Sequence, residues 1–363
     1  MIRGVPSLKI VPNELLLYCR PGFETDLASE LLEKAALSGI SGAPRFERGG
    51  GHVRFEVTDG RPANDLHRAL PLASLVFARQ SLVAFPPLTL DRSDRLNAII
   101  AQARDSGWSC EELWQETPDT NEAKALAGLI KSLKRPLEAQ LRKAGVLRRK
   151  AGGRRLHLLW SEGDRVQLGM SFPGNRSEQL GGIRRLRSPS RAPSRSTLKL
   201  EEAWHEFVPA EQWSARLSDG MQAADLGAAP GGWTWQLVQR GMQVFAIDNG
   251  PMDRDLMATG LVEHLREDGF VWTPPARLDW LVCDIVDKPS RVITMVERWL
   301  TRRWCREAVF NLKLPMKRRW EAVSQGLSRL ADSLERAGVR AEIACRHLYH
   351  DREEVTVHVR LLD

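Results

Sequence analysis

The chain is short of cysteine, and what it has shows no pattern. Cys19, Cys110, Cys283, Cys305 and Cys345 are scattered, odd in number and form no CxxC pair. That argues against a zinc site and a disulfide framework, and for a reducing compartment. No apolar run approaches the roughly 18 residues needed to span a bilayer. The start, MIRGVPSLKIVPNELLLYCR, carries Pro and an acid where a leader would keep an apolar core, so a cytoplasmic protein is expected. GxxxxGK[ST] is absent, which excludes a P-loop ATPase, and so is the GxGxxG of a dinucleotide turn. His157, His347, His350 and His358 show no metal-ligand spacing. No 20–50-residue repeat is present.

What is there describes a soluble globular chain: 363 residues, 42% apolar and 27% charged, long enough for two or three domains. The net charge of +7 is unevenly placed. Residues 142–199 hold fifteen Lys or Arg against Glu162, Asp164 and Glu178, a balance of +12, which leaves the other 305 residues at −5. Solubility needs no such concentration of one sign, whereas a polyanion partner does.

Strand and helix signals alternate. Residues 14–20, 49–58 and 74–85 read as strands and 23–37 as an amphipathic helix. Helices follow at 91–105 and from Thr120 to about Lys143, the latter kinked or divided at Pro136. Short strands at 154–160 and 165–170 complete an α+β half. Residues 173–197, rich in Gly, Pro, Ser and Arg, read as a basic linker. Beyond it, 221–228, 243–248, 279–286 and 307–314 are near-continuous apolar strands separated by helices, the signature of a parallel sheet covered on both faces. The carboxyl-terminal segment reads as two antiparallel strands at its edge.

The chemistry gathers in this second half. Asp225-Leu-Gly-Ala-Ala-Pro-Gly-Gly232 lies at a strand-to-helix turn, and the next strand ends in Asp248. Glycines at such a turn let a ligand approach backbone, and an acid at the second strand end suits a ribose diol. With GAAPGG instead of GxGxxG, the turn fits a nucleoside lacking a pyrophosphate, S-adenosylmethionine, better than NAD. Asp268 and Asp284 punctuate the same sheet edge. Trp233 and Trp235 open the following helix. In a chain with twelve Trp and two Tyr, they read as core.

Together SRSTLKLEE (194–202), DLGAAPGGW, LVCDIV, FNLKLPM and YHDREEVTVHVR resemble the ribose 2′-O-methyltransferases that use a Lys-Asp-Lys-Glu tetrad. The whole chain is similar, more narrowly, to the bacterial 23S ribosomal RNA cytidine 2′-O-methyltransferases of the M type. The resemblance implies an N-terminal α+β (ferredoxin-like) subdomain over 1–50, a THUMP-like RNA-binding region over 51–172, the linker over 173–197, and a Rossmann-like α/β methyltransferase domain over 198–363. It places catalysis on Lys199, Asp284, Lys313 and Glu354, with Lys313 as the base. It places S-adenosyl-L-methionine on Ser196, Ala229, Pro230, Gly231, Gly232, Asp248, Asp268 and Asp284, with no metal. Ala229 stands where relatives often have Cys, at a position expected to contribute backbone. The implied partner is 23S rRNA, naked or in an assembling large subunit, met by a monomer that binds neither DNA nor membrane. The target is a cytidine near the peptidyl-transferase centre. The residues also leave open an NAD-linked oxidoreductase, and a non-catalytic RNA-binding or assembly protein with a vestigial fold.

The basic stretch generates a first prediction. Neutralising Arg184, Arg185, Arg187 and Arg191 should weaken RNA binding and flatten its salt dependence by roughly 0.7 of a log unit per lost phosphate contact. Cofactor affinity should stay unchanged. A filter-binding salt titration with the wild-type slope would return the segment to a solubility role.

Overall fold

A computed structural model describes residues 11–362; the first ten residues, on which the expectation about a leader partly rests, and Asp363 lie outside the described residues. The chain divides into two compact units between Ile183 and Arg184. Among the described residues no helix is long and apolar enough to cross a membrane.

The first unit is built on an eight-stranded sheet, its strands labelled in chain order. Strand β1 (Glu14–Tyr18) pairs antiparallel with β3 (His52–Val57) and β4 (Gln80–Ala84), and β2 (Gly42–Arg45) extends it beyond β3. On the other side β4 meets β8 (Arg165–Ser171), then β7 (Arg155–Glu162), then β6 (Glu112–Glu116), with β5 (Leu88–Thr89) beside β8. Strand β1 is buried at every residue, which its continuous LLLY run demands.

Two sequence expectations are corrected here. The run 74–85 is strand only over β4; Leu72–Ser74 form a 3₁₀ turn. The Val76 and Phe77 N–H groups donate to the Glu30 carboxylate, at 2.6 and 3.0 Å, instead of to a neighbouring strand. Apolar content marked this run as core without saying where its backbone donors go. The helix from Thr120 breaks between Lys124 and Ala127, not at Pro136, which is exposed within the helix Ala127–Lys143.

The second unit is a seven-stranded sheet. From one edge the order is β11 (Val262–Leu265), β10 (Gln243–Ile247), β9 (Gln222–Leu226), β12 (Leu278–Cys283), β13 (Cys305–Lys313), β15 (Glu354–Leu361) and β14 (Ala341–Arg346). The first five are parallel, and β15 runs antiparallel between β13 and β14. Strand order reverses at β9 and β12. Right-handed crossovers therefore carry the helix Gly232–Val238 to one face and the helix Pro289–Thr301 to the other. This is a Rossmann-like arrangement, and the reversal opens a crevice at the carboxyl ends of β9 and β12. Trp204, Trp233, Leu237, Trp280, Val282 and Val309 share one core cluster, and Trp235 packs against it partly buried.

Asp225 ends up inside this core, about 1% exposed, its carboxylate accepting the Thr234 hydroxyl at 2.6 Å. Burial pushes its carboxyl up to about 7, assisted by Asp284 and Asp248 and opposed by Thr234. The folded carboxyl thus holds its proton more tightly than the unfolded one. Its stabilising contribution is complete below the unfolded value and is lost as pH rises toward and through 7. Asp225→Asn should therefore gain stability relative to the wild type between pH 5 and 8, by up to a few kcal/mol. Parallel urea midpoints for both proteins across that range would refute the assignment.

Candidate active site

The carboxyl edge of the second sheet collects the residues singled out in the sequence. Antiparallel pairing is decisive: β15 enters where β13 ends, with Lys313 directly opposite Glu354 and Asn311 opposite Thr356. Alternation then puts both pairs on one face of the sheet. Asp284 follows the last residue of β12, next to β13. Lys199 comes from outside the sheet, on the helix Thr197–Phe207.

These four side chains meet. The Lys199 ammonium lies 3.0 Å from Asp284 and 2.6 Å from Glu354. Lys313 lies 3.2 Å from Glu354 and 3.6 Å from Asp284. Each cation thus reaches both anions, and the cluster is neutral overall. Lys199 is the more tightly held and the more buried, its side chain 14% exposed against 23% for Lys313. Burial acts to lower the Lys199 pKa, but Asp284 and Glu354 outweigh it and the net shift is upward. For Glu354, burial acts upward and is overcome by Lys199 and Lys313, leaving its carboxyl below the ordinary range. Lys199 is a fixed ammonium and Glu354 a fixed carboxylate.

Helix and loop are tied together around this cluster. Glu202, one turn beyond Lys199, accepts the Tyr349 and His350 N–H groups, both at 2.9 Å, and His350 Nδ1 at 2.6 Å. The segment leading into Glu354 is therefore anchored to the helix that supplies Lys199.

The glycine turn after β9 lies at the same edge. Gly227 has φ +80°, and a Cβ there would come within 2.6 Å of Ile285, the residue after Asp284. At Gly232 a Cβ would meet the Ser196 and Ser194 hydroxyls at 2.1 and 2.4 Å. Glycine lets the Ser/Arg loop lie directly on the turn, so Ser196 borders it. Ser196 Oγ is 2.6 Å from Ser194 Oγ. Asp248, just past β10, accepts the Ala229 N–H at 3.1 Å and the Gly250 N–H at 2.7 Å, one on each oxygen. It braces the turn through one contact on each oxygen, leaving each with further acceptor capacity. Pro230 and Gly231 complete the turn, with Gly231 at φ +117° as the cap of the helix Gly232–Val238. Asp268 is placed differently: it is exposed, three residues past β11, and accepts its own loop's Phe270 N–H at 2.8 Å.

Motif reading passed over three polar residues behind the cluster: Asn311, Thr356 and Asp351, all fully buried. All three sit inside quoted motifs, Asn311 in FNLKLPM and Asp351 and Thr356 in YHDREEVTVHVR. A polar side chain at an inward position of an apolar strand was the available signal. Among the described residues no group of His, Cys, Asp and Glu could hold a metal ion.

Comparison with known proteins bears on the whole chain. Family models match in three consecutive stretches. Residues 13–82 match an RlmM ferredoxin-like domain, 94–172 the N-terminal region of ribosomal RNA large subunit methyltransferase M, and 192–301 an FtsJ-like methyltransferase. The chain is 71% identical over 357 residues to the ribosomal RNA large subunit methyltransferase M of Chromohalobacter salexigens, covering 98% of this chain and 100% of that one. It is 50% identical over 351 residues to the enzyme of that name from Edwardsiella ictaluri, covering 96% and 94%. Among solved structures, an Aeropyrum pernix fibrillarin with bound S-adenosyl-L-methionine aligns at 12% identity and a TM-score of 0.34, covering 56% of this chain and 81% of that one. With relatives this similar along essentially its full length, the chain belongs to the ribosomal RNA large subunit methyltransferase M family.

Proposed function

We propose that the chain transfers a methyl group from S-adenosylmethionine to the ribose 2′-hydroxyl of a cytidine in 23S rRNA, near the peptidyl-transferase centre. The carrying observation is the neutral cluster of Lys199, Asp284, Lys313 and Glu354 beside a glycine turn braced by Asp248. Nearly full-length similarity to ribosomal RNA methyltransferases supports the substrate class. The cytidine and its position rest on the family resemblance.

The residues present fit the cofactor. Asp248 would accept its ribose hydroxyls, the backbone of Ala229, Pro230, Gly231 and Gly232 would border it closely, and Ser196 would reach its methionine part. Asp284 would flank the methyl position and Asp268 would face its adenine. When bound, S-adenosylmethionine supplies an electrophilic methyl group. The protein's task is then to take the proton from a weakly acidic hydroxyl. The asymmetry of the cluster favours Lys313 as that base. Lys199 is locked as a cation by two short ion pairs, whereas the Lys313 pairs are longer and more open. Glu354 and Asp284 keep the Lys313 amine in place. The first unit (residues 51–172 in particular) and the basic segment would hold the RNA, with a monomer acting in the cytoplasm.

Three variants test this assignment. Lys313→Met keeps the approximate volume of the stem and should lower single-turnover methyl transfer by about 10²–10⁴-fold with cofactor binding intact. Lys313→Arg should fail similarly, because a guanidinium stays protonated. A near-wild-type rate for Lys313→Arg would remove the general-base role. Asp248→Ala should weaken cofactor binding by on the order of 1–3 kcal/mol, through the lost acceptor, while RNA binding survives. Wild-type cofactor affinity by calorimetry would displace the cofactor from this strand end. Labelled methyl transfer to naked 23S rRNA, followed by mapping of the ribose, separates this reading from a vestigial RNA-binding protein, which would bind RNA and transfer nothing.

A further inference from the structure

A chain of hydrogen bonds runs from the cluster into the core. Asn311 Nδ2 donates to Asp284 Oδ1 at 2.9 Å, and Asn311 Oδ1 accepts from the Thr356 hydroxyl at 2.8 Å. The Thr356 oxygen lies 3.1 and 2.9 Å from the two carboxyl oxygens of Asp351, and Asp351 Oδ2 accepts the Leu348 N–H at 3.0 Å. All three side chains are fully buried.

Donor and acceptor arithmetic fixes the direction. The Asp284 carboxylate can only accept, so the Asn311 amide must turn its NH₂ toward it and its oxygen toward Thr356. That oxygen needs a donor, and the single Thr356 hydroxyl proton is the one available on the cross-strand partner. Thr356 has then no proton left for Asp351. Two buried acceptors about 3 Å apart would face each other unless Asp351 carries the proton. The surroundings favour that state: burial, with Glu202 and Glu354 nearby, pushes the Asp351 carboxyl well above its ordinary range, against the Leu348 N–H and Lys199.

We propose that Asn311, Thr356 and a neutral Asp351 form a one-directional positioning chain, Asp351 to Thr356 to Asn311 to Asp284, that sets the rotation of the Asp284 carboxylate. The inference rests on the proposed catalytic role of the cluster. Asp284 meets Lys199 through Oδ2 at 3.0 Å and Oδ1 at 3.3 Å, and must keep Oδ1 toward Lys313 at 3.6 Å as well. Oδ1 is the oxygen both lysines share, 3.3 Å from Lys199 and 3.6 Å from Lys313, and Asn311 holds it by the shortest of the three contacts, 2.9 Å. Without Asn311 only the two lysines fix the rotation of a carboxylate that Lys199 already meets through both oxygens, and the longer contact to Lys313 is the one lost when it turns. These are positioning residues and touch neither RNA nor cofactor.

The experiment is single-turnover methyl transfer on purified full-length variants, with cofactor affinity measured alongside. Asn311→Ala and Thr356→Val should each lower the rate about 10- to 100-fold, the range for one hydrogen bond to a charged group, and leave cofactor affinity within two-fold (about 0.4 kcal/mol, little on this scale). Thr356→Ser should recover most of the loss. Asp351→Asn, whose amide still donates to Thr356 while its oxygen accepts from Leu348, should recover most of what Asp351→Ala loses. In an Asp284→Asn background, Asn311→Ala should add little, because its effect passes through that carboxylate. Fully additive effects, or an unchanged rate in both Asn311→Ala and Thr356→Val, would overturn the chain. Equal losses in Asp351→Asn and Asp351→Ala would overturn its neutral origin. If Asp284→Asn and Lys313→Met keep the wild-type rate, the cluster's catalytic role fails, whatever the Asn311 and Thr356 variants do.

Discussion

Lys313 and Glu354 face each other because β15 runs against β13 in one register, and most of the site follows from that pairing. A one-residue slip would turn Glu354 and Thr356 to the opposite face of the sheet and leave Lys313 without its carboxylate. The register is defended by burial. Phe310, Leu312, Val355, Val357 and Val359 are essentially inaccessible, so sliding would force polar side chains into positions these apolar ones fill. Strand pairing and the charge cluster are therefore one constraint seen at two levels.

The charges themselves are affordable only together. A lone ammonium at the position of Lys199 would be desolvated without compensation, as would a lone carboxylate at Glu354. Because each cation reaches both anions, removing one member leaves an unbalanced buried charge as well as a missing functional group. Isosteric neutral changes such as Lys313→Met therefore report on chemistry more cleanly than charge reversals. The same logic extends inward, where a neutral carboxyl, a hydroxyl and an amide satisfy one another behind Asp284.

Outside the cluster, the glycine turn and Asp248 depend on close backbone approach. Gly232 admits the Ser194 and Ser196 hydroxyls to a space that any side chain would occupy, and Asp248 spends one lone pair of each oxygen on the turn. Asp268 shares the sheet edge in sequence order, but in space it is an exposed loop acid bonded to its own turn.

Apolar runs were enough to read β9, β10, β12 and β13 of the second sheet, because strands covered on both faces are mostly apolar, with Asp225 and Asn311 among the buried exceptions. The glycine turn and the quartet Lys199, Asp284, Lys313 and Glu354 were legible as motifs, and the concentration of positive charge between 142 and 199 was visible by counting. Short or edge elements were not: β2, β6 and β11 have mixed patterns, and 74–85 looked like one strand although Glu30 takes two of its backbone donors. Nor could spacing bring Lys199 to Glu354 across 155 residues, or show that Asn311 and Thr356 are cross-strand partners. Local sequence determines which residues want to be strand, helix or turn, because those preferences act over a few bonds. Which distant side chains share a buried site is decided by strand order and register, which exist only once the sheet has formed.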